Sequence, residues 1–187
     1  SKAINHPINF HTDAVQAPGL LELDTQRLGV NLLSLSAHKF NGPKGVGLLY
    51  IRRNTPFVPT HVGGAQERDR RAGTEDTASI VGMGISLELA ERNRQDNVRH
   101  CTHLRDKLIN GISERIPGSY LNGDPVQRLA NNVNFSFDQV EGEPILIGLD
   151  LAGISASSGS ACTAGSLEPS HVLLAMGQHV DLSRGSL

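Results

Sequence analysis

Aromatic side chains are scarce in this sequence: tryptophan is absent, and aromatic residues make up only 4% of the 187 residues. Sites that stack single-stranded nucleic acid depend on such side chains, so the composition argues against a site of this kind. The net charge of −2 at pH 7 also provides no basic excess to attract nucleic acid or an anionic membrane surface. We therefore expect neither nucleic acid nor a membrane among the partners.

Cysteine is also rare, and Cys101 and Cys162 are the two examples. Two cysteines are too few for a disulfide-rich secreted domain, and their separation is not that of a metal-binding Cys-x-x-Cys pair. No apolar run approaches the roughly 20 residues of a transmembrane helix, and the first residues do not have the pattern of a signal peptide. These absences predict a cytoplasmic protein with no bound metal.

The rest of the sequence is arranged around residues 34–45, SLSAHKFNGPKG. This stretch separates two apolar runs, 30–35 and 46–51, which predict strands covered on both faces. Lys39 would then lie at the end of a buried strand, where poor solvation disfavours the charged amine and leaves a nucleophile for a carbonyl group. From these residues alone, an ordinary exposed loop lysine is the simpler interpretation.

A shorter strand is predicted at residues 8–13, ending at Asp13, and Gln16 follows three residues later. Groups just beyond the carboxyl ends of strands bind ligands in α/β sheets, so both side chains are candidate site residues. A helix N-cap is an equally good interpretation of Asp13. The local pattern leaves these two roles open.

Residues 63–74, GGAQERDRRAGT, form a long polar segment that contains several arginines and glycines. Segments of this length without secondary structure are usually functional or disordered. The arginines and the final Gly-Thr pair would suit an anion such as phosphate. A solvated loop in which acidic residues balance the arginines is an equally good interpretation.

The longest helical pattern runs from residue 80 to residue 116, with apolar positions three or four residues apart. Its polar centre, 91–96, predicts a bend or a linker between domains. Cys101 lies on the apolar stripe and is predicted to pack in a core. Shorter elements are predicted after it: strands at 120–121 and 133–137, a helix at 143–151, a brief strand at 154–156 and a last helix at 168–176.

Cys162 occupies an unusual setting, residues 155–169, SASSGSACTAGSLEP, in which nearly every neighbour is small. Core cysteines are normally surrounded by large apolar residues, so this composition predicts an exposed loop. A thiolate on such a loop could move and react. The alternative is an incidental loop cysteine without a chemical role.

Four blocks in this order resemble the group I cysteine desulfurases, of the nitrogen-fixation and housekeeping iron–sulfur type. The blocks are HTDAVQA at 11–17, residues 34–45 as given above, RRAGTE at 70–75 and SSGSACTAGSLEPSH at 157–171. The resemblance runs from end to end of the sequence. It implies an α/β fold of the aspartate-aminotransferase-like class (fold type I), with pyridoxal phosphate as cofactor and the conversion of L-cysteine to L-alanine as the reaction.

In this family the cofactor is held by a set of residues that the sequence matches one by one. Lys39 matches the lysine that forms a Schiff base with pyridoxal phosphate. Asp13 matches the carboxylate that pairs with the pyridine nitrogen, and Gln16 matches the side chain that contacts the phenolic oxygen. Ser36 and His38 match phosphate ligands. The resemblance thus implies a cofactor site formed by these five residues.

Two further matches concern residues from other parts of the sequence. Thr74 matches a phosphate ligand donated by the neighbouring subunit, which implies a homodimer. Cys162 matches the nucleophile that takes the sulfur of the substrate as a persulfide. The persulfide sulfur would then pass to an acceptor protein such as an iron–sulfur scaffold.

The family's proteins extend beyond this sequence, so a truncated fold is expected, with the later part of the large cofactor domain at 1–92 and most of the small domain at 93–187. Such a chain would expose a sheet edge and dissolve poorly. Two other interpretations stay open. One is another pyridoxal phosphate enzyme of this fold, such as a selenocysteine lyase or an aminotransferase, although an aminotransferase needs no thiol like that of Cys162. The other is a catalytically incomplete fragment that only binds a partner.

Overall fold

The structure, a computed structural model, describes residues 8–157 and 169–187. The chain divides into two compact units, Ser1–Val98 and Arg99–Leu187. Each unit has a small β-sheet of its own. Within the described residues, no helix is both long enough and apolar enough to cross a membrane.

The first unit contains a three-stranded sheet in the order β1 (His11–Asp13), β2 (Leu32–Ser36) and β3 (Gly47–Ile51). β1 runs parallel to β2, with Asp13 opposite Ser34, and β3 runs antiparallel to β2. The three predicted strands are confirmed, and each ends within one residue of its expected carboxyl end.

Side-chain burial alternates along β2. Leu33 and Leu35 are buried, whereas Ser34 and Ser36 on the opposite face are half-buried. β3 is more open, and Leu49 is exposed. The prediction that these strands are covered on both faces is therefore wrong for the described residues. Valine and leucine favour strands whether one face or both are covered, so composition alone did not distinguish the two cases.

The arginine-rich segment has little regular structure. Its one element is α1 (Gln66–Asp69), a single turn in which Glu67, Arg68 and Asp69 have φ angles of 49°, 58° and 61°. These values lie in the left-handed region, which is uncommon for residues other than glycine. The backbone N–H of Ala72 donates to the carbonyl oxygen of His61 at 3.1 Å and closes the segment on itself. The prediction of a long loop is confirmed apart from this turn.

α2 (Thr77–Arg92) contributes Met83 to the core of the first unit. α3 (Arg94–Arg115) begins two residues after α2 ends, so the predicted break in the long helical pattern is confirmed and falls at Asn93. The core combines side chains from strands, turns and helix: Ala14, Val30, Leu33, Leu35, Ala37, Phe40 and Met83.

The second unit contains a two-stranded antiparallel sheet and several helices. Its elements after α3 are β4 (Ser119–Leu121), β5 (Phe135–Phe137), α4 (Gly142–Leu151), α5 (His171–Ala175) and α6 (Val180–Arg184).

Two predictions in the second unit are wrong. Residues 154–156 have irregular structure rather than a strand, and the last predicted helix corresponds to α5 alone, while α6 was not predicted. Helices of five residues span little more than one turn, so they carry too few positions for a helical period to be recognised.

A buried polar network connects the strands of the second unit to its last helices. Asn122 Nδ2 donates to Asn134 Oδ1 at 2.7 Å and to Ser136 Oγ at 2.9 Å. Gln178 Nε2 donates to Asn122 Oδ1 at 2.8 Å, and Ser183 Oγ donates to Gln178 Oε1 at 3.0 Å. Ser136 and Ser183 are buried, and their hydroxyl groups are satisfied within this network.

The last residues of the sequence pair with β5. The backbone N–H of Phe135 donates to the carbonyl oxygen of Leu187 at 2.9 Å, and the reverse bond measures 2.8 Å. Phe137 N–H donates to the Gly185 carbonyl oxygen at 3.0 Å. The close approach of the two backbones leaves no room for a side chain at position 185.

We expect Gly185→Ala to destabilise the second unit by about 1–3 kcal/mol, the usual cost of overpacking. The added methyl group would meet the carbonyl oxygens of Phe137 and Val140, which are parts of the backbone. Gly111→Ala is the matched control, because nothing lies within 4 Å of its added methyl group and alanine favours a helix by about 1 kcal/mol. Urea denaturation monitored by circular dichroism measures the stability of both variants. Equal unfolding midpoints for the two variants would contradict the expectation.

Candidate active site

The carboxyl ends of β1 and β2 lie at the same edge of the sheet because these strands are parallel. Asp13 is the last residue of β1, and Ser36 is the last residue of β2. A 3₁₀ turn, Ala37–Phe40, follows Ser36 directly and carries His38 and Lys39. The structure therefore brings four of the predicted site residues to one edge of the first unit.

The turn that carries Lys39 is anchored on both sides. Ala37 and Phe40 are buried in the core, Asn41 closes the turn with a φ of 65°, and Gly42 N–H donates to the Ala37 carbonyl oxygen at 2.9 Å. Lys39 itself is exposed. The predicted poor solvation of Lys39 is therefore wrong for this chain: the backbone is fixed by its buried neighbours, while the amine is accessible.

Asp13 is fixed by a local turn. Its Oδ1 accepts a hydrogen bond from the backbone N–H of Val15 at 3.1 Å. The following residues, 14–17, form turns rather than a helix, so the interpretation of Asp13 as a helix N-cap is wrong. Gln16 lies in this turn and is exposed. Within the described part of the chain, Oδ2 of Asp13 has no hydrogen-bond partner, which leaves it for a ligand.

Ser36 and His38 form a pair beside Lys39. Ser36 Oγ and His38 Nδ1 lie 2.9 Å apart, within hydrogen-bonding distance. Engagement of Nδ1 leaves Nε2 as the ring nitrogen that can bind a ligand. Whichever of the two donates in this bond, the pair keeps an N–H or O–H group that can donate to an anion.

Thr74 lies in the loop before α2 and is exposed. No hydrogen bond among the described residues connects it to the edge that carries Lys39. The end of this loop is fixed by Asp76, whose side chain accepts from Ser79 Oγ at 2.6 Å and from Ser79 N–H at 3.1 Å. These bonds to Ser79 favour the carboxylate and lower the pKa of Asp76. The structure does not bring Thr74 together with the other predicted residues.

Of the two cysteines, Cys101 lies within the described residues and Cys162 does not. Cys162 lies at 158–168, outside the described residues, so its role stays a prediction. Cys101 is half-buried on α3, a less complete burial than the predicted core position. Among the described residues, no group of histidine, cysteine and acidic side chains could hold a metal ion.

Two polar residues of β1 and β2 were missed by the sequence interpretation. His11 Nε2 lies 2.8 Å from Ser34 Oγ, and the two side chains connect β1 to β2. The available signal was the strand period of two, which places His11 on the same face as Asp13 and Ser34 on the same face as Ser36.

The site is thus a parallel pair of strands that ends in an aspartate and a serine, followed by an anchored turn with an accessible lysine. The chain belongs to the aminotransferase class-V family, which matches residues 2–187. Proteins of this family related to the chain depend on pyridoxal phosphate.

Within this family the chain is similar to cysteine desulfurases. It is 52% identical over 185 residues to cysteine desulfurase IscS of Dictyoglomus turgidum. The aligned region covers 99% of the chain and 47% of that relative. It is also 52% identical over 169 residues to cysteine desulfurase NifS of Azotobacter vinelandii. This aligned region covers 90% of the chain and 42% of that relative. The resemblance noted in the sequence is confirmed.

Solved structures agree with this assignment. A NifS-like protein superposes with a TM-score of 0.83 and 34% identity over 95% of the chain and 45% of that protein. The predicted α/β fold of the pyridoxal phosphate-dependent type, fold type I, is confirmed. The chain spans about half the length of the relatives it matches.

Proposed function

We propose that the chain is part of a pyridoxal phosphate-dependent cysteine desulfurase, which converts L-cysteine to L-alanine and holds the sulfur as a persulfide on Cys162. The observation that carries the proposal is the convergence of Asp13, Ser36, His38 and Lys39 at the edge where β1 and β2 end. The similarity to proteins named cysteine desulfurase supports L-cysteine as the substrate.

The side chains at this edge match the charges of pyridoxal phosphate. The carboxylate of Asp13 suits the protonated ring nitrogen, the amine of Lys39 suits the aldehyde, and the pair of Ser36 and His38 suits the phosphate. Gln16 would contact the phenolic oxygen. When bound, the cofactor supplies an electron sink that stabilises negative charge at the substrate α-carbon.

The reaction divides between Lys39 and Cys162. Lys39, on its anchored turn, takes the proton from the α-carbon and returns protons later. The thiolate of Cys162 attacks the γ-sulfur of the substrate, so that a sulfur–sulfur bond forms as the carbon–sulfur bond breaks. The carbon fragment takes up a proton and leaves as L-alanine. The balance needs no external oxidant or reductant, because the two sulfur atoms are oxidised to a persulfide while the substrate β-carbon is reduced as its C–S bond becomes a C–H bond.

The finer parts of the proposal concern the assembly. A homodimer would allow Thr74 of one subunit to reach the phosphate bound by the other, which accounts for its separation from the remaining site residues. An acceptor such as an iron–sulfur scaffold protein would remove the persulfide sulfur in the cytoplasm. Residues 1–92 would belong to the large cofactor domain and residues 93–187 to the small domain.

The test is a sulfide assay on the full chain with pyridoxal phosphate, L-cysteine and a thiol reductant. Wild-type protein is expected to release sulfide and L-alanine in equal amounts, and Cys162→Ser is expected to reduce sulfide to background. Cys101→Ser is the matched control and is expected to retain sulfide release, because Cys101 lies on α3 and is not among the residues assigned to the reaction.

Two other outcomes would point to the alternatives. Cofactor attachment at Lys39 without sulfide would favour a catalytically incomplete fragment. Sulfide release that survives Cys162→Ser would argue against the persulfide step and favour another pyridoxal phosphate enzyme of this fold that cleaves a carbon–sulfur bond, such as a selenocysteine lyase.

A further inference from the structure

Ser34 bonds to the chain on both sides of Asp13. In the register of the two strands, Asp13 lies opposite Ser34. The carbonyl oxygen of Ser34 accepts from the backbone N–H of Ala14 at 3.0 Å. Its Oγ lies 2.8 Å from Nε2 of His11. One residue of β2 therefore holds the chain both before and after Asp13.

This arrangement matters because little else fixes Asp13. β1 has three residues, and the carboxylate of Asp13 is exposed and accepts one hydrogen bond, from Val15 N–H. Alternate residues of a strand project from the same face, so His11 and Asp13 share a face. A hydrogen bond that fixes His11 against Ser34 therefore restricts rotation of the strand end that carries Asp13.

We propose that Ser34, braced by His11, is a positioning residue that holds the carboxylate of Asp13 in the direction of the cofactor's ring nitrogen. The inference rests on the proposed function, since it places pyridoxal phosphate at this edge. Ser34 acts through Asp13 and needs no contact with the cofactor of its own.

Cofactor titration of the full chain tests the proposal. The absorbance change on attachment to Lys39 gives a Kd for pyridoxal phosphate. Ser34→Ala is expected to weaken binding about three- to tenfold, the range that the loss of one hydrogen bond produces. Ser34→Thr keeps the hydroxyl group and is expected to bind like the wild-type chain. A Ser34→Ala variant with wild-type Kd would overturn the inference.

A double-mutant cycle separates positioning from a general loss of structure. If Ser34 acts through the charge of Asp13, Ser34→Ala is expected to cause no further loss in an Asp13→Asn background. Contacting residues that act as a unit give such non-additive effects, whereas independent residues give additive ones. Additive losses in the cycle would therefore contradict the role assigned to Ser34.

The opposite end of the same strand pair offers a matched control. Oδ1 of Asn31 accepts from the backbone N–H of Phe10 at 2.9 Å, which is also a side-chain link between the two strands. Asn31→Ala is expected to leave the Kd unchanged, because this link lies away from Asp13. Equal losses in Asn31→Ala and Ser34→Ala would indicate a structural role and overturn the inference.

The result for the wild-type chain separates the two proposals. Saturable binding with additive losses in the cycle overturns the positioning role alone. No saturable binding of pyridoxal phosphate to the wild-type chain overturns the proposed function and the inference together.

Discussion

Replacing Lys39 with alanine is expected to reduce covalent attachment of pyridoxal phosphate from stoichiometric to background. The ε-amine of Lys39 is the nucleophile that reacts with the aldehyde, and no other lysine lies on the anchored turn. The sequence contains four lysines, so attachment can be assigned by position. Borohydride reduction followed by peptide mass spectrometry measures the extent of labelling at each of them.

Lys44→Ala provides the control for this experiment. Lys44 is also exposed and lies shortly after the turn, but it is separated from the ends of β1 and β2 by the Gly-Pro sequence at 42–43. Saturable labelling at Lys39 is expected to survive this substitution. Labelling that is equal at Lys39 and Lys44 in the wild-type chain would show ordinary surface reactivity and contradict the assignment of the cofactor site.

Phe135→Ala is expected to destabilise the second unit by about 3–5 kcal/mol, the usual cost of truncating a buried aromatic side chain. Phe135 is 2% exposed, and its ring stacks on that of Phe137 with a centroid distance of 6.2 Å. Domains are typically stable by about 5–15 kcal/mol, so this loss is a large share of the total. Guanidinium denaturation is expected to give a markedly lower midpoint for the second unit.

Leu151→Ala is the control, because Leu151 is 84% exposed and its truncation leaves no cavity. Hydrogen exchange with mass spectrometry assigns the effect to a unit. Peptides from β4 and β5 are expected to lose protection in Phe135→Ala, while peptides from β2 and β3 retain it. Loss of protection in all of these peptides would contradict the division into two units.

The strands and long helices were predictable because their patterns are local. Apolar runs bounded by polar turns located β2 and β3, and positions three or four residues apart located α2 and α3. The coverage of the sheet was not predictable, because burial of a face depends on elements that pack against it from other parts of a protein. Leucine is typical of buried strands, yet Leu49 is exposed in this chain.

The site was predictable to different degrees for similar reasons. Asp13 ends one predicted strand and Lys39 follows another, so local pattern and parallel topology suffice to suggest that they lie at the same edge of the sheet. The hydrogen bond between His11 and Ser34 depends on strand register, which the sequence does not specify for so short a strand. Thr74 and Cys162 came from the resemblance alone, because their roles depend on another subunit or on a loop outside the described residues.

The pairing of β5 with Leu187 has a consequence for biosynthesis. Chains fold from the N-terminal side as they leave the ribosome. The bonds to Phe135 and Phe137 and the Gln178 part of the polar network need residues 178–187, which emerge after β4 and β5. Until those residues appear, β5 keeps its pairing with β4, whereas the backbone N–H groups of Phe135 and Phe137 lack the partners they have in the structure. A chain that ended before residue 178 would therefore leave this side of β5 open, which is the form that proteases and chaperones recognise.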